Sequence, residues 1–483
     1  MSNARQHAAE IVRKLRQRGH QAYFAGGCVR DLLLSREPAD YDVATDATPQ
    51  QVMHIFPQTY AVGEQFGVVL VPFKADATKD TKEHEGNQPA RTDSFEGRVV
   101  PGAMGGSGKQ RYLFLPPFLR KSVEVATFRK DVGYSDGRHP DEVRFTRDPR
   151  EDVQRRDFTI NGMMLDPATN EILDFVGGRD DLKAGIMRAI GDPQRRFAED
   201  KLRMPRAVRF AARFDYQIDP ETLAAIQKSA PKIHQVSCER VSEELTKMLT
   251  EGKARRAFEL LDATGLLPEV LPEIAAMKGV EQPPQYHPEG DVFVHTLLLL
   301  KKLPAGCSKT LAWGALLHDV GKPSTFRVAP DRIRFDGHVA VGVKMAAEIC
   351  RRLRFSNDDT DQILALVDNH MRFGQVQRMN QSTLKKFLRL PAFEEHLELH
   401  RIDCLSSHGQ LDAYEYAQEQ LRSMPPEAIR PAPLITGRDL IEAGYNPGPR
   451  FTEILAAVED AQLEGRLTSR EAAMEFVRRE FPR

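Results

Sequence analysis

Two aspartates, Asp40 and Asp42, flank a tyrosine within the stretch GGCVRDLLLSREPADYDVATDATP, residues 26–49. Read as a strand, DYDVATDA would present both carboxylates on one face, because residues two apart point the same way. Like charges that close raise each other's pKa unless a cation lies between them. Oxygen-only ligands at that spacing suit Mg²⁺. Earlier in the same stretch, Gly26 and Gly27 follow the apolar run AYFA and precede the helical-looking VRDLLLS. Glycines there let backbone N–H groups approach a phosphate, and a helix N-terminus favours an anion. A phosphate cradle beside an acidic metal-binding pair is the equipment of phosphoryl or nucleotidyl transfer. Either feature alone is equally well a glycine turn or a pair of solvated surface aspartates; their order and closeness favour the chemistry.

The elements that must position these groups follow from periodicity. Residues 3–19 have Ala8, Ile11, Val12 and Leu15 at helical spacing. FGVVLVPF is an apolar strand, and SVEVATFRK alternates in strand fashion around Glu124. Between them, residues 74–110 are polar and aperiodic and cannot bury a core, so a disordered insertion is expected. DVGYSDGRHPDEV is a turn-rich loop, and QRRDFTINGMMLDP leads into a further strand. From about residue 181 the pattern is mostly helical. The expected architecture is a small α/β head of about 165 residues followed by a long helical body, without internal repeats.

Bulk properties narrow the class. The 483 residues predict about three or four domains. With 41% hydrophobic and 28% charged residues, the composition is that of an ordinary soluble globular protein. A net charge of −1 leaves any nucleic-acid role to local basic patches. Five cysteines without a C-x-x-C pair fit a reducing cytoplasm. The basic amphipathic N-terminus lacks the apolar region of a secretory signal. No apolar run approaches the roughly 20 residues a membrane span needs, so no membrane partner is expected.

Taken together, GGCVRD, DYD, GEQFG, FRKDVGYSDGRHPDEV, RRDFTINGM and EDKLRMPRAVRF resemble the bacterial class II CCA-adding tRNA nucleotidyltransferases and their poly(A) polymerase relatives, in the DNA polymerase β nucleotidyltransferase superfamily. The likeness runs nearly end to end apart from the insertion. It implies an α+β fold: a polymerase-β-like head with a small mixed sheet over residues 1–165, then an all-α body. That body would comprise a neck with a base-selecting helix (166–275), an HD domain (280–408) and a tRNA-holding tail (409–483). The implied activity is template-independent addition of CCA to tRNA 3′ ends from CTP and ATP by two-metal transfer. The resemblance sets Asp40 and Asp42 on Mg²⁺, with Glu124 as the third carboxylate. It sets Gly27 and Arg30 on the triphosphate and Arg156 near the sugar and phosphates, with Asp157 beside it. Asp200 and Arg203 would pair with the incoming base, and Arg206 and Arg209 would sit by the phosphates. VGEQFGVVLV resembles the CCA-adding pattern, and DVGYSDGRHP resembles the flexible loop that A addition needs. The alternative within this chemistry is a poly(A) polymerase tailing RNA from ATP alone.

The residue types support parts of this independently. On a helix, Asp200 and Arg203 are neighbours, and a carboxylate beside a guanidinium can read a base edge. A surface helix with i,i+3 ion pairs is the competing reading. Pro205 would kink that helix unless it falls in the first turn. Gly162 stands where the family usually has alanine.

A second constellation lies in the helical half: His295 in GDVFVHTLLLL, His318-Asp319 in ALLHDVGKP, and Asp403 in HRIDCLSSHG. Imidazole and carboxylate ligands suit a divalent transition metal. Their order resembles the H…HD…D pattern of HD phosphohydrolases, some of which cleave phosphoesters including 2′,3′-cyclic ends. That implies metal binding by His295, His318, Asp319 and Asp403. His338 and His370 read equally well as packed or surface histidines. A reading from a different class makes the chain primarily an HD metal-dependent phosphohydrolase with a nucleotide-sensing head.

Overall fold

The computed structural model describes residues 3–61, 67–73, 122–134, 137, 140–285, 287–288, 290–330 and 332–482. The expected insertion at 74–110 lies outside them, as do residues 63–66 of GEQFG and part of the turn-rich loop. The chain divides into two compact units, Met1–Leu245 with Leu260–Val270, and Thr246–Glu259 with Leu271–Arg483.

In the first unit, helix α1 (Asn3–Gln17) buries Ala8, Ile11, Val12 and Leu15, the face its spacing predicts. Then follow β1 (Ala22–Ala25), α2 (Gly27–Leu33), β2 (Asp42–Thr45) and α3 (Pro49–Ile55). A capping box between Thr48 and Gln51 starts α3. Strands β3 (Tyr60–Ala61), β4 (Val68–Pro72) and β5 (Ser122–Thr127) come next, followed by the pair β6 (Arg129–Val132) and β7 (Glu142–Phe145). Helix α4 (Pro149–Gln154) leads to β8 (Met163–Leu165) and β9 (Ile172–Asp174). The main sheet has seven strands in the order β3-β4-β5-β2-β1-β8-β9. Only β2 and β5 run parallel within it; the other pairs are antiparallel. β9 carries the sheet to Asp174, past the expected head boundary at 165.

The sheet corrects one expectation. β2 begins at Asp42, so Asp40 precedes the strand and is exposed. The strand neighbour of Asp42 is instead Glu124, its register partner across the parallel β2–β5 pair. Tyr41, buried and packed edge-on to Phe24 at 5.4 Å, anchors the chain between the two aspartates.

Gly162, ending the short 3₁₀ turn Thr159–Asn161, is more than a harmless departure. A Cβ there would meet Val176 Cγ2 at 2.8 Å, Ile190 Cδ1 at 2.9 Å and Val153 Cγ1 at 3.2 Å. Gly162→Ala is therefore expected to cost about 1–3 kcal/mol by overpacking. A lowered midpoint in urea unfolding at constant slope is the readout; an unchanged midpoint would contradict the packing.

After α5 (Gly178–Ala184) and β10 (Ile186–Met187) come α6 (Pro193–Glu199) and α7 (Arg203–Phe214). Pro205 is the third residue of α7. Its missing N–H would have had no partner inside the helix, so no kink is forced. β11 (Gln217–Ile218) pairs parallel with β10, and α8 (Pro220–Ser229) and α9 (Cys238–Thr250) follow.

Among its described residues the second unit is helical apart from an isolated bridge, Glu281 to Asp291, and an antiparallel hairpin, β12 (Phe326–Val328) and β13 (Ile333–Phe335), which the sequence did not announce. Its core includes the fully buried Trp313, whose indole N–H donates to Thr246 Oγ1 at 2.9 Å. A separate cluster of Ile435, Leu440, Ile454, Val458 and Val477 closes the C-terminal region. Among the described residues no helix is long and apolar enough to cross a membrane.

Candidate functional site

In the head, Gly26 occupies the left-handed region at φ 76, and its N–H donates to Met163 O at 3.2 Å. A Cβ on Gly26 would lie 2.9 Å from Arg156 Nη1 and 4.0 Å from Asp42 Oδ2. Glycine is thus required twice, by the backbone and by the guanidinium that passes over it. Arg156 Nη2 is held by Asp152 at 3.0 Å, while its buried Nε has no hydrogen-bond partner. The glycine turn, Arg156 and Asp42 therefore meet at one place.

Asp42 is half-buried, and burial, then Glu124 and Asp40, push its carboxyl up to about 7 against the opposing pull of Arg156. Three carboxylates gathered this way call for a cation. They do not form a closed cage: the triads of ligand atoms all within 4.8 Å of one another lie, among the described residues, in the helical half. An open set fits Mg²⁺, which takes one or two carboxylates and completes its shell with water and substrate phosphate.

Other residues expected at this site are placed differently. Arg30 is 4% exposed, bonded to Asn161 Oδ1 at 2.6 Å and Asp31 Oδ1 at 2.8 Å, and stacked on Phe214 at 4.6 Å. It braces the turn from beneath, its Nη2 3.5 Å from where a Gly27 Cβ would stand. Asp200 and Arg203 are not paired on one helix. Asp200 caps the end of α6 and binds Arg240 at 2.8 Å, whereas Arg203, opening α7, binds Glu199 at 2.7 Å. Arg206 binds Asp157 at 2.6 Å; burial pushes that carboxyl up, but Arg206, Asn161 and Arg203 together hold it down at about 2. Arg209 departs furthest. It is 6% exposed and paired with Glu244 of α9 at 2.6 Å. The sequence missed Arg240 and Glu244 because both partners lie some forty residues along, beyond any helical spacing rule.

In the second unit, His295, His318, Asp319 and Asp403 do converge. His295 Nε2 lies 3.1 Å from Asp403 Oδ1 and 4.0 Å from Asp319 Oδ2, and His318 Nε2 lies 3.1 Å from Asp319 Oδ2. His338 and His370, left open by the sequence, join them, each with Nε2 3.8 Å from Asp319 Oδ1. Two triads result, His295–His318–Asp319 and Asp319–His338–His370, sharing Asp319.

Three of the imidazoles are oriented by the backbone. Nδ1 of His318, His338 and His370 faces the carbonyls of Ala315, Phe335 and Val367 at 2.9, 3.0 and 2.7 Å. For His338 and His370, donation there assigns the proton to Nδ1 and leaves Nε2 as a lone pair aimed inward. Burial drives His370 down to about 4, keeping it neutral near pH 7. Nε2 of His338 and His370 has no hydrogen-bond partner. Burial would raise Asp319, but His318 and Lys322, the latter at 2.7 Å, hold it well below the usual carboxylate range. Inward lone pairs around a buried carboxylate, each ring fixed through its other nitrogen, are a donor set for a metal ion.

Comparison with known proteins bears on both units. Residues 22–96 and 103–188 match the "Poly A polymerase head domain". Residues 215–278 match "Probable RNA and SrmB- binding site of polymerase A", and 338–477 match "tRNA nucleotidyltransferase domain 2 putative". A CCA-adding enzyme of Enterococcus faecalis is 30% identical over 478 residues, covering 97% of this chain and 94% of the relative. The chain belongs to the CCA-adding enzyme family. Its likeness to the CCA-adding enzyme of Geobacillus stearothermophilus is 38% over 261 residues, spanning about half of each chain (54% and 53%). The crystal structure of the Bacillus stearothermophilus CCA-adding enzyme in complex with CTP superposes with a TM-score of 0.69, at 26% identity and 99% coverage of both chains. The mixed-sheet head and helical body are thus this family's architecture.

Proposed function

We propose that this CCA-adding family member adds C, C and A to tRNA 3′ ends from CTP and ATP, without a nucleic-acid template. The observation that carries the reading is the register of Asp42 beside Glu124, facing the Gly26–Arg156 turn. A divalent ion, in this reading Mg²⁺ on Asp40 and Asp42, would supply Lewis acidity at the reacting phosphate. The chain's own residues do the rest. Gly26 and Gly27 bring the backbone close to the triphosphate, Arg156 meets its charge, and Arg30 holds the turn in shape. Glu124 is the further carboxylate beside Asp42, where the attacking 3′-hydroxyl must lose its proton. Fixed groups aimed at developing charge account for most of the acceleration in such reactions. Asp200 and Arg203 select the base. Their ion pairs with Arg240 and Glu199 support that role by fixing each side chain independently. Residues 1–165 serve as the catalytic head, 166–275 as the neck and 409–483 as a tRNA-holding tail.

The test uses tRNA lacking its terminal CCA and single labelled nucleotides. Two additions from CTP followed by one from ATP are expected. An ATP-only ladder would make the chain a poly(A) polymerase and overturn the reading.

A second activity is proposed for residues 280–408, favoured by the inward lone pairs of His338 and His370. His295, His318, Asp319 and Asp403, joined by these two, would hold one or two divalent transition-metal ions, with Asp319 common to both positions, for phosphoester hydrolysis.

A further inference from the structure

The guanidinium of Arg156 is held as a fork. One prong, Nη1, passes 2.9 Å from where a Cβ on Gly26 would stand. The other, Nη2, donates to Asp152 Oδ2 at 3.0 Å, leaving the buried Nε without a hydrogen-bond partner. Asp152, on α4, is 1% exposed, and its contacts do not stop at Arg156. Its Oδ1 accepts from Arg155 Nε and Nη2 at 2.9 and 2.7 Å and from the Arg129 backbone N–H at 3.3 Å. Burial would raise that carboxyl, but Arg155 and Arg156 hold it below its ordinary value. Arg155 is tied in turn to the base of the turn-rich loop. Its Nη1 lies 4.0 Å from Asp131 Oδ2, to which the Tyr134 hydroxyl donates at 2.8 Å. The Arg155 carbonyl accepts from Arg203 Nη2 at 3.2 Å. One buried carboxylate thus fixes two consecutive arginines, the first bonded to Arg203 through its backbone, the second laid over the glycine turn.

We propose that Asp152 is a positioning residue for nucleotidyl transfer: it clamps Arg156 Nη2 so that Nη1 stays over the Gly26–Gly27 turn, ready for the triphosphate. This role rests on the nucleotidyl-transfer reading of the head. Arginine is a long side chain with several rotatable bonds, so one left free would be ordered only when the phosphate arrived, at a cost in affinity. Holding one nitrogen of the planar fork in advance fixes the other. The competing role for Asp152 is structural alone, joining α4 to β6. Positioning makes two demands that a structural role does not. The effect of Asp152 must pass through Arg156, and it must fall on the phosphates that CTP and ATP share.

Both demands are measured on the full-length protein, by calorimetric binding of inorganic tripolyphosphate with Mg²⁺ and by steady-state nucleotide addition to tRNA lacking its terminal CCA. Asp152→Asn should weaken tripolyphosphate binding roughly 10-fold, the loss of one charge-assisted contact. It should raise KM for CTP and for ATP by the same factor and leave KM for tRNA at the wild-type value. In an Arg156→Ala background, Asp152→Asn should change tripolyphosphate binding by less than about 2-fold, because the residue through which it acts is gone. An undiminished loss in that background, or a KM for tRNA that rises in step, would overturn the proposal and leave the transfer reading intact. If Asp152→Asn folds too poorly to assay, Arg156→Lys reads the same contact from the other side. A single ammonium cannot hold Asp152 and meet phosphate at once, so tripolyphosphate affinity should fall to within about 3-fold of Arg156→Ala. A lysine variant with wild-type affinity would overturn the proposal, as would a wild-type protein that does not bind tripolyphosphate. The binding arm needs no turnover. An ATP-only ladder alongside the expected binding results would therefore leave the positioning role standing and overturn only the CCA-adding reading.

Discussion

Asp42→Asn is expected to reduce nucleotide incorporation by about 10³-fold or more, yet to make the metal-free protein more stable at pH 8. The loss of activity follows from removing a carboxylate on which both the metal and the reacting phosphate depend. The gain in stability follows from the environment of that carboxylate. Burial, Glu124 and Asp40 lift Asp42 from an ordinary value of 3.8 to about 7. The folded state then holds a proton that the unfolded chain releases, so stability falls as pH rises from about 4 to about 7 and levels off above. Asparagine removes that penalty, with full effect above pH 7 and none below about pH 4. Its ceiling is about 4 kcal/mol, lowered by the partial solvent access of Asp42. Urea unfolding at pH 4 and pH 8 without divalent metal reads the difference, and single-turnover incorporation reads the activity. Added Mg²⁺ and CTP should reverse the stability order, because only the wild type binds them fully. A variant less stable than wild type at pH 8 without metal would contradict the electrostatic picture.

Asp319→Ala is expected to have the largest effect in the helical half. Asp319 is the one carboxylate shared by both histidine triads. It is also the acid that answers Lys322, which otherwise donates, among the described residues, to Gln282 Oε1 at 2.6 Å. Removing it strands a buried cation and should cost about 3–5 kcal/mol. Metal-dependent phosphoester hydrolysis should disappear, while nucleotide incorporation by the folded fraction should persist. The double variant Asp319→Ala with Lys322→Met should recover part of the stability but none of the hydrolysis. That separates loss of the metal ligand from loss of folding. Hydrolysis that survives in the double variant would move the reaction to another site.

Much of the head was legible because short-range rules govern it. The α1 face, the strand around Glu124 and the glycine turn each follow from periodicity or backbone freedom within a dozen residues. Asp40 was misplaced because the strand starts two residues later, and period-two reasoning holds only inside a strand. The arginines of α7 show their type and spacing in the sequence, but not the acids they pair with. Asp157 and Glu244 come from elements 49 and 35 residues away from Arg206 and Arg209. In the helical half, the four-residue pattern could be read directly. His338 and His370 could not be decided, because each side chain's aim depends on a carbonyl three residues back, Phe335 or Val367, and on how those turns pack.

In the proposed reaction, head-domain carboxylates hold a divalent ion against a nucleoside triphosphate at the Gly26–Arg156 turn. Crystals of the protein with CTP and Mn²⁺, measured for anomalous scattering, test it most directly. A manganese peak within about 2.5 Å of carboxylate oxygens of both Asp40 and Asp42, with CTP phosphates completing its shell, is the predicted result. A CTP whose triphosphate lies away from Gly26 and Gly27, or a peak in the head that leaves Asp42 without metal, would contradict it.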